Sequence, residues 1–310
     1  MLKYTAKRLI IGVITLLVLA TITFFLMKII PGSPFGGELA QLSPEVREKL
    51  LSQYNLDKSI PEQFAIYIKN AATGDFGESM TRKGTPVMTI IGRCLPATMK
   101  VGAVAFVFAM AVGITLGIVA AFTKHKWVES AVMFLATIGV SVPSFLYALM
   151  LMIVFGVVLG WLPIIGLKGP LHYILPAFSL ALYPISMVSR LVRSSMKEVM
   201  KQDYIVLAKS KGTPMIKIIV KHGLKNCLIP VVTYAGPLLA FLITGSFVIE
   251  NLFSIPGIGA EFVNSVSNRD YTMIMALTII FGSFIIIANI LTDLLVAAID
   301  PRVKLSKKSV

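Results

Sequence analysis

The sequence predicts an all-α membrane protein: six transmembrane helices, both chain ends on the cytoplasmic face, and a large external loop between helices one and two. Three observations predict it. The chain of 310 residues is 56% hydrophobic and only 14% charged, with a mean hydropathy of +0.84. A soluble domain carries about 25% charged residues, so this chain lacks the charge to coat a water-facing surface. That excludes a soluble enzyme and a disordered chain. Cys94 and Cys227, far apart and the only two cysteines, exclude a disulfide framework and form no CxxC pair. The second observation is a set of six long stretches without Asp, Glu, Lys or Arg. The third is a lopsided distribution of cations, with a formal net charge of +14.

A bilayer-crossing helix needs about 20 mostly apolar residues. The charge-free stretches are Leu9–Met27, Val101–Thr123, Ser130–Leu167, Gly169–Ser189, Asn226–Ile249 and Tyr271–Thr292. The first comes after Lys3, Lys7 and Arg8, as a secretory signal would. However, Met27-Lys28-Ile29-Ile30-Pro31 has no small-x-small cleavage pattern, so a retained first helix is expected. The third stretch, 38 residues long, is too long for one crossing. Trp161-Leu162-Pro163, an interfacial aromatic beside a helix breaker, is its expected stop.

Loop cations set the orientation. One side collects 18 Lys and Arg residues: Lys3, Lys7 and Arg8, then Lys124 and Lys126, nine between Arg190 and Lys225, and Arg302, Lys304, Lys307 and Lys308 in the tail. The other side holds nine, seven of them in segment 31–97 and balanced there by seven acidic residues. The expected organisation is a tail and first helix over 1–30 and an external loop over 31–97. A transmembrane core over 98–300 carries a cytoplasmic loop at 190–225, and a cytoplasmic tail covers 301–310. Within the external loop, Ser43-Pro44-Glu45 followed by Val46, Leu50 and Tyr54 reads as a capped amphipathic helix. No internal repeat or low-complexity tract is present.

In loop 190–225, Arg190, Arg193, Lys197 and Lys201 share one helical face and read as a stripe facing lipid headgroups. Next comes Asp203-Tyr204-Ile205-Val206-Leu207-Ala208-Lys209-Ser210-Lys211-Gly212-Thr213-Pro214, a helix stop and a fresh start. Gly212 suits a C-cap with positive φ, Thr213 an N-cap, and Pro214 a first helical turn. Met215–Lys225 then reads as a short helix with Lys217, Lys221 and Lys225 on one side. Ile216, Ile219, Val220 and Leu224 make the other. Spacing alone leaves two readings: a helix that docks on a partner, or one that lies on the membrane surface.

A family resemblance separates them. Ala208-xxx-Gly212, with Pro230 opening the next span, resembles the cytoplasmic "EAA" loop of ABC-importer permeases. The run from Asp203 to Gly212 is similar to its version in the peptide and nickel permease family, oligopeptide permeases above all. The resemblance covers nearly the whole chain. It takes in Pro31-Gly32-Ser33-Pro34-Phe35, Gly74-Asp75-Phe76-Gly77-Glu78-Ser79 and Val142-Pro143-Ser144-Phe145. Further on it includes Glu250-Asn251-Leu252-Phe253-Ser254-Ile255-Pro256-Gly257-Ile258-Gly259, Arg269-Asp270-Tyr271 and Asp300-Pro301-Arg302. Val206-Leu207 depart from the Glu-Ala of other importers, so no acidic coupling residue is assigned at the start of the loop.

The resemblance implies a type I importer-permease fold in the bacterial plasma membrane and half of a translocation path. The expected partners are a second related permease, two ATP-hydrolysing subunits, an external peptide-binding protein, and the peptide substrate. The coupling loop would comprise Asp203, Tyr204, Ala208, Lys209, Lys211, Gly212, Thr213, Pro214, Ile216, Lys217 and Lys221. Asp75, Phe76, Glu250, Phe253, Pro256 and Gly257 would meet the binding protein. Dipeptide or nickel import is the alternative within the family, and a stand-alone secondary transporter the alternative outside it.

The residues themselves agree with a passive, non-enzymatic role. No GxxxxGK[ST] phosphate loop is present, so ATP and Mg are expected on partner subunits and no cofactor on this chain. Nor is any nucleic acid expected as a partner; the basic excess belongs to the membrane face. His125, His172 and His222 fall in three different loops and make neither a ligand cluster nor a nucleophile–base pair. A proton-driven carrier would be expected to bury acidic or His residues near mid-membrane, and the spans hold none there. In span two, Ala105, Ala109, Gly113, Gly117 and Ala121 form a small-residue seam for close helix approach. Pro143, Pro176, Pro184 and Pro237 interrupt or adjoin spans. Pro143, flanked by Ser141 and Ser144, is the expected lining of an aqueous path.

Overall fold

The structure, a computed structural model, describes residues 2–29, 34–35 and 42–299. The motif residues 31–33 and 300–302 and the tail 301–310 lie outside the described residues. The described chain is helical, its single β pairing being the isolated bridge between Glu78 and Pro86. Among the described residues, five helical segments are long and apolar enough to cross a membrane: Thr5–Ile29, Val87–Phe122, Pro170–Val199, Met215–Ile243 and Tyr271–Ala298. A sixth crossing is made by a bent pair, Lys126–Ser141 with Ser144–Val158, if the two are taken together.

The chain divides into two compact units. One comprises Met1–Ala97 and Pro256–Ile286, the other Thr98–Ile255 and Ile287–Val310.

In the first unit, α1 (Leu2–Ile29) lies against the early part of α13 (Tyr271–Ile299). Their approach is close: a Cβ on Gly12 would stand 2.7 Å from Ile286, and one on Gly282 2.8 Å from Leu16. The segment after α1 folds as α2 (Pro44–Gln53) and α3 (Ile60–Ala72). Each is preceded by Ser and carries Pro in its first turn, where the missing N–H costs nothing. The Ser43 start is the one expected, although its hydroxyl makes no capping bond and α2 buries none of its residues. Helix α4 (Val87–Phe122) begins well before the charge-free run at Val101, because a helix can extend beyond the hydrocarbon with polar residues. Its first turns join α12 (Ile258–Ser267) and α13 in a core of Val87, Ile90, Ile91, Ile258, Met273 and Leu277.

One carboxylate ties this unit together. Asp270, 2% exposed, caps α13 by accepting the Met273 N–H at 3.2 Å. It also accepts the Met80 N–H at 3.1 Å and the Thr81 and Thr272 hydroxyls at 2.8 and 2.9 Å. The Ser79 hydroxyl donates a further, short bond. Burial alone would push this carboxyl up, but the bonds from Ser79, Thr81, Met80 and Thr272 outweigh it and hold the group below the usual carboxylate range.

In the second unit, α7 (Ile174–Val199) is the most enclosed helix, with buried residues on every turn. The later part of α4 lays its small-residue seam on it, as expected. Ala105 and Ala109 are fully buried, and a Cβ on Gly113 or Gly117 would stand 2.8 or 2.6 Å from Val188 or Val192. Helices α5 (Lys126–Ser141), α6 (Ser144–Leu151) and α10 (Leu224–Ile243) pack on other sides of α7.

The third span, expected as one helix, is two helices meeting at 104°. Pro143 cannot donate and forces Val142 out of helical conformation, so two extended residues separate α5 from α6. Ile138, near the end of α5, has its carbonyl capped by the Tyr147 hydroxyl at 2.6 Å. The chain continues through a π-helical turn, Met152–Val158, and stops just short of Trp161. Pro230 does not open a span as expected. It sits inside α10 with Pro237, because that helix starts earlier.

Replacing Asp270 with Asn removes the charge-assisted acceptor and should destabilise the protein by roughly 3 kcal/mol, read as a lowered unfolding midpoint in mild detergent. The folded carboxyl titrates lower than the unfolded one, so its stabilisation is complete above about pH 4 and fades below it. The gap between parent and D270N should therefore narrow on acidification; a gap independent of pH would remove the charge from the argument. Gly117→Leu should cost at least about 1–3 kcal/mol by overpacking against Val192 and the Ser189 carbonyl. A parental midpoint would show that the seam is loose.

Candidate functional site: the loop between Arg190 and Lys225

Helix α7 carries the basic stripe into this loop. The structure pairs Arg190, Arg193 and Lys197 with α5 and so corrects the lipid-facing reading for these three, while Lys201 is exposed. Arg193 donates from Nε to Glu129 at 2.8 Å, its Nη2 and the Lys197 ammonium bridge the same carboxylate, and Arg190 donates to the Thr137 hydroxyl at 2.8 Å. A charged or polar partner on the neighbouring helix outcompetes a headgroup in water because it is already fixed in place.

After a short turn, α8 (Asp203–Ser210) forms, starting from an extended Gln202. Asp203 sits in its first turn, where a negative charge complements the exposed N–H groups. Ile205, fully buried, anchors it, and the Tyr204 hydroxyl accepts from the Asn226 amide at 2.7 Å. At its far end Gly212 takes φ +71. The Gly212 N–H donates to the Lys209 carbonyl at 2.9 Å and the Thr213 N–H to the Ala208 carbonyl at 3.2 Å. This paired closure is a Schellman motif, and it explains why Ala208 and Gly212 stand four apart. Only a residue without Cβ holds that φ without strain.

The free-standing short helix is thus Asp203–Ser210 and not Met215–Lys225. The latter segment is the start of the next span: α9 (Met215–Ile218) passes through a π-turn, Ile219–Gly223, directly into α10. Pro214 is the extended cap residue, one position later than Thr213. The expected two-faced pattern also changes. Ile218 is the buried residue, while Ile216 and Val220 are 78% and 61% exposed on the same stretch as exposed Lys217 and Lys221. Tyr204, Val206, Leu207 and Met215 are exposed as well, as are Lys209, Lys211, Lys217 and Lys221.

The other expected site residues are dispersed. Ser141, Pro143 and Ser144 stand at the 104° break, where the Ser141 hydroxyl donates to the Thr137 carbonyl at 2.8 Å. Asp75 is exposed and accepts the Gly77 N–H at 2.9 Å; Phe76 is half-buried and packs against the core around Val87. Glu250 and Phe253 are buried at 5% and 1% exposure, so neither presents a side chain to a docking protein. Glu250, in α11 (Phe247–Leu252), accepts the Thr98 hydroxyl at 2.7 Å, and the Phe253 carbonyl accepts the Gly166 N–H at 2.8 Å. They shape the turn from inside. Pro256 is exposed and Gly257 buried. Of the histidines, His172 is half-buried, and its Nδ1 is buried with no hydrogen-bond partner among the described residues.

Sequence reasoning missed the structural roles of Asp270 and Glu129. Asp270 was legible in principle, as an Asp just before an apolar run is a helix-cap signature. Glu129 was not, because its cations come from a helix more than 60 residues away.

Comparison with known proteins places this geometry in a family. Residues 113–305 match the binding-protein-dependent transport system inner membrane component, and residues 1–102 match the N-terminal component of the same systems. The oligopeptide transport system permease protein OppB of Haemophilus influenzae is 41% identical over 98% of this chain and 100% of its own length. The dipeptide transport system permease protein DppB of Bacillus subtilis is 42% identical over 99% and 100%. The fold is similar to an inward-facing MetNI methionine ABC transporter, with a TM-score of 0.57 at 17% identity over 69% of this chain and 97% of that one. The chain therefore belongs to the inner membrane components of binding-protein-dependent transport systems, as a multi-pass plasma-membrane permease of the ABC importers.

Proposed function

We propose that this chain forms one half of the translocation path of an ATP-driven oligopeptide importer. The observation that carries the substrate class is full-length identity of 41–42% to peptide permeases. A second related permease supplies the other half, an external binding protein delivers peptide, and two cytoplasmic subunits bind ATP and Mg and hydrolyse the nucleotide. This chain binds no cofactor of its own. Both chain ends and loop 190–225 face the cytoplasm, in keeping with the cation excess there. Segment 31–97 and the turn near Pro256 face outward toward the binding protein.

The loop geometry supports coupling through α8. A short helix, closed by its Gly212 cap and hydrogen-bonded through Tyr204 to Asn226, behaves as a rigid knob on the foot of α10. The exposed apolar side chains of the loop favour burial against a folded partner, and its lysines supply charge-based register. A knob seated on a subunit that closes around ATP passes the displacement to α10. The path is expected to lie where the third span breaks, because Ser141, Pro143 and Ser144 put polar groups and a free backbone at membrane depth. Dipeptide transport fits as well, since the Bacillus relative named for dipeptides is as similar as the oligopeptide one.

Gly212→Pro should break the cap, because proline lacks the N–H and cannot take positive φ. The expected outcome is normal insertion and complex assembly with peptide uptake reduced at least roughly tenfold relative to ATP hydrolysis. Parental uptake would refute the coupling role. Charge reversal at Lys217 and Lys221 should weaken co-purification of the ATPases; undiminished co-purification would assign that surface to lipid. Uptake of labelled peptides of graded length by the assembled transporter separates oligopeptide from dipeptide import. Uptake by the chain reconstituted alone, sensitive to a proton gradient, would overturn the importer reading.

A further inference from the structure

Glu129 stands in the first turn of α5, and Arg193 and Lys197 stand in the last two turns of α7. An acid at a helix start and a base at a helix end each suit the partial charge of the end they occupy. One carboxylate oxygen of Glu129 takes both cations: Arg193 donates from Nε at 2.8 Å and again from Nη2, and the Lys197 ammonium donates beside it.

The contact continues along both helices. Thr137, two turns further along α5, accepts from Arg190 at 2.8 Å, one turn earlier in α7. Beyond it a Cβ on Gly139 would collide with the Ser186 hydroxyl, so the two helices approach with no room for a side chain between them. As numbers rise along α5 they fall along α7, so the pair runs antiparallel. It is held over about 15 Å, from Glu129 to Gly139. Two residues later α5 ends, and the chain turns through 104° at Val142 and Pro143 into α6. At the other end of the pair, α8 starts six residues after Lys197.

This cluster is better suited to fixing geometry than to adding stability. Its side chains are partly exposed, Glu129 at 24% and Lys197 at 40%, and water screens such pairs until they contribute little to unfolding free energy. Arg193 and Lys197, however, lie four apart on one helix, where like charges repel. Glu129 is what lets both point at α5. Without it the two cations would separate, and the end of α7 would lose its register against the start of α5.

We infer that Glu129 is a positioning residue that locks the end of α7 to the start of α5, so that a displacement of loop 190–225 reaches the break at Pro143 as a movement of both helices together. The transmission rests on the coupling role proposed above for the loop; the lock itself does not.

The test has one readout for each. For the lock, nitroxide labels are placed at the exposed positions Lys126 and Ser194 in a Cys94→Ala background, Cys227 being buried, and their separation is measured by pulsed electron resonance. The full-length chain is used with the subunits that co-purify. The parent should give one narrow distance, unchanged by a non-hydrolysable ATP analogue, and Glu129→Gln a broad one. For transmission, uptake of labelled trialanine per ATP hydrolysed is measured in proteoliposomes of the assembled transporter. Glu129→Gln should lower this ratio at least about fivefold with an unfolding midpoint close to the parent's. The charge swap Glu129→Arg/Arg193→Glu should restore both the narrow distance and the ratio, whereas Glu129→Arg alone should not. A narrow distance in Glu129→Gln, or a parental distance that shifts with the nucleotide analogue, would overturn the lock. A parental ratio in Glu129→Gln, or uptake and hydrolysis that fall in parallel with the midpoint, would overturn the transmission. A parent that takes up no peptide would instead count against the importer reading, and the distances would still decide the lock.

Discussion

A buried carboxylate held by hydroxyls and N–H groups constrains the first unit. Asp270 is kept ionised by hydroxyls and N–H groups drawn from residues 79–81 and from the first turn of α13. None of these donors is optional, because each one lost leaves a charge that water cannot reach. The segment between α3 and α4 must therefore pass over the start of α13 in one register. That register places Val87, Ile90 and Ile91 against Met273 and Leu277, so the apolar core of the unit is laid down by a polar contact at its edge.

The second unit obeys a different rule. Within a bilayer, apolar side chains gain little by leaving lipid, so close packing and internal hydrogen bonding hold the helices together. Glycines at 113 and 117 let α4 and α7 approach to backbone contact. Where Pro143 breaks the third span, the Tyr147 hydroxyl ties α6 back to the Ile138 carbonyl of α5, which also accepts the Val142 N–H. The ion cluster of Glu129, Arg193 and Lys197 fastens α5 to the same helix that feeds the loop. Loop 190–225 thus hangs from a helix fixed along its length.

Much of this is readable from residues. Apolar run lengths locate every crossing, the four-residue spacing of Ala and Gly locates the α4 seam, and Gly212 marks a helix end. The identity of the short helix is less legible, because a Gly-Thr-Pro junction marks the end of one helix and the beginning of another with equal force. Nothing local says that the helix after Pro214 runs on into the fifth span while the one before Gly212 stands alone. The 104° bend is visible only as a Pro, since whether a proline kinks, breaks or merely interrupts a helix depends on what its freed carbonyls find. Turns rich in Gly and Pro are usually exposed, which points Glu250 and Phe253 to the surface; here the turn folds back and its large side chains point inward. Asp270 stands in plain sight, but Ser79, Met80 and Thr81 donate to it from about 190 positions earlier, a distance no local pattern spans.

The π-turn at Ile219–Gly223 has a bearing on how such chains diversify. Each residue of an α-helix advances the side-chain direction by about 100°, and a π-turn accommodates one residue beyond the regular count. The foot of the fifth span is therefore out of phase with its membrane portion, which is why a straight helical wheel assigns Ile216 and Val220 to the wrong side. Losing a single residue there would swing that foot through more than a quarter-circle while leaving the lipid-embedded portion untouched. Such a deletion would give the inner surface a new face without altering a residue of the membrane portion.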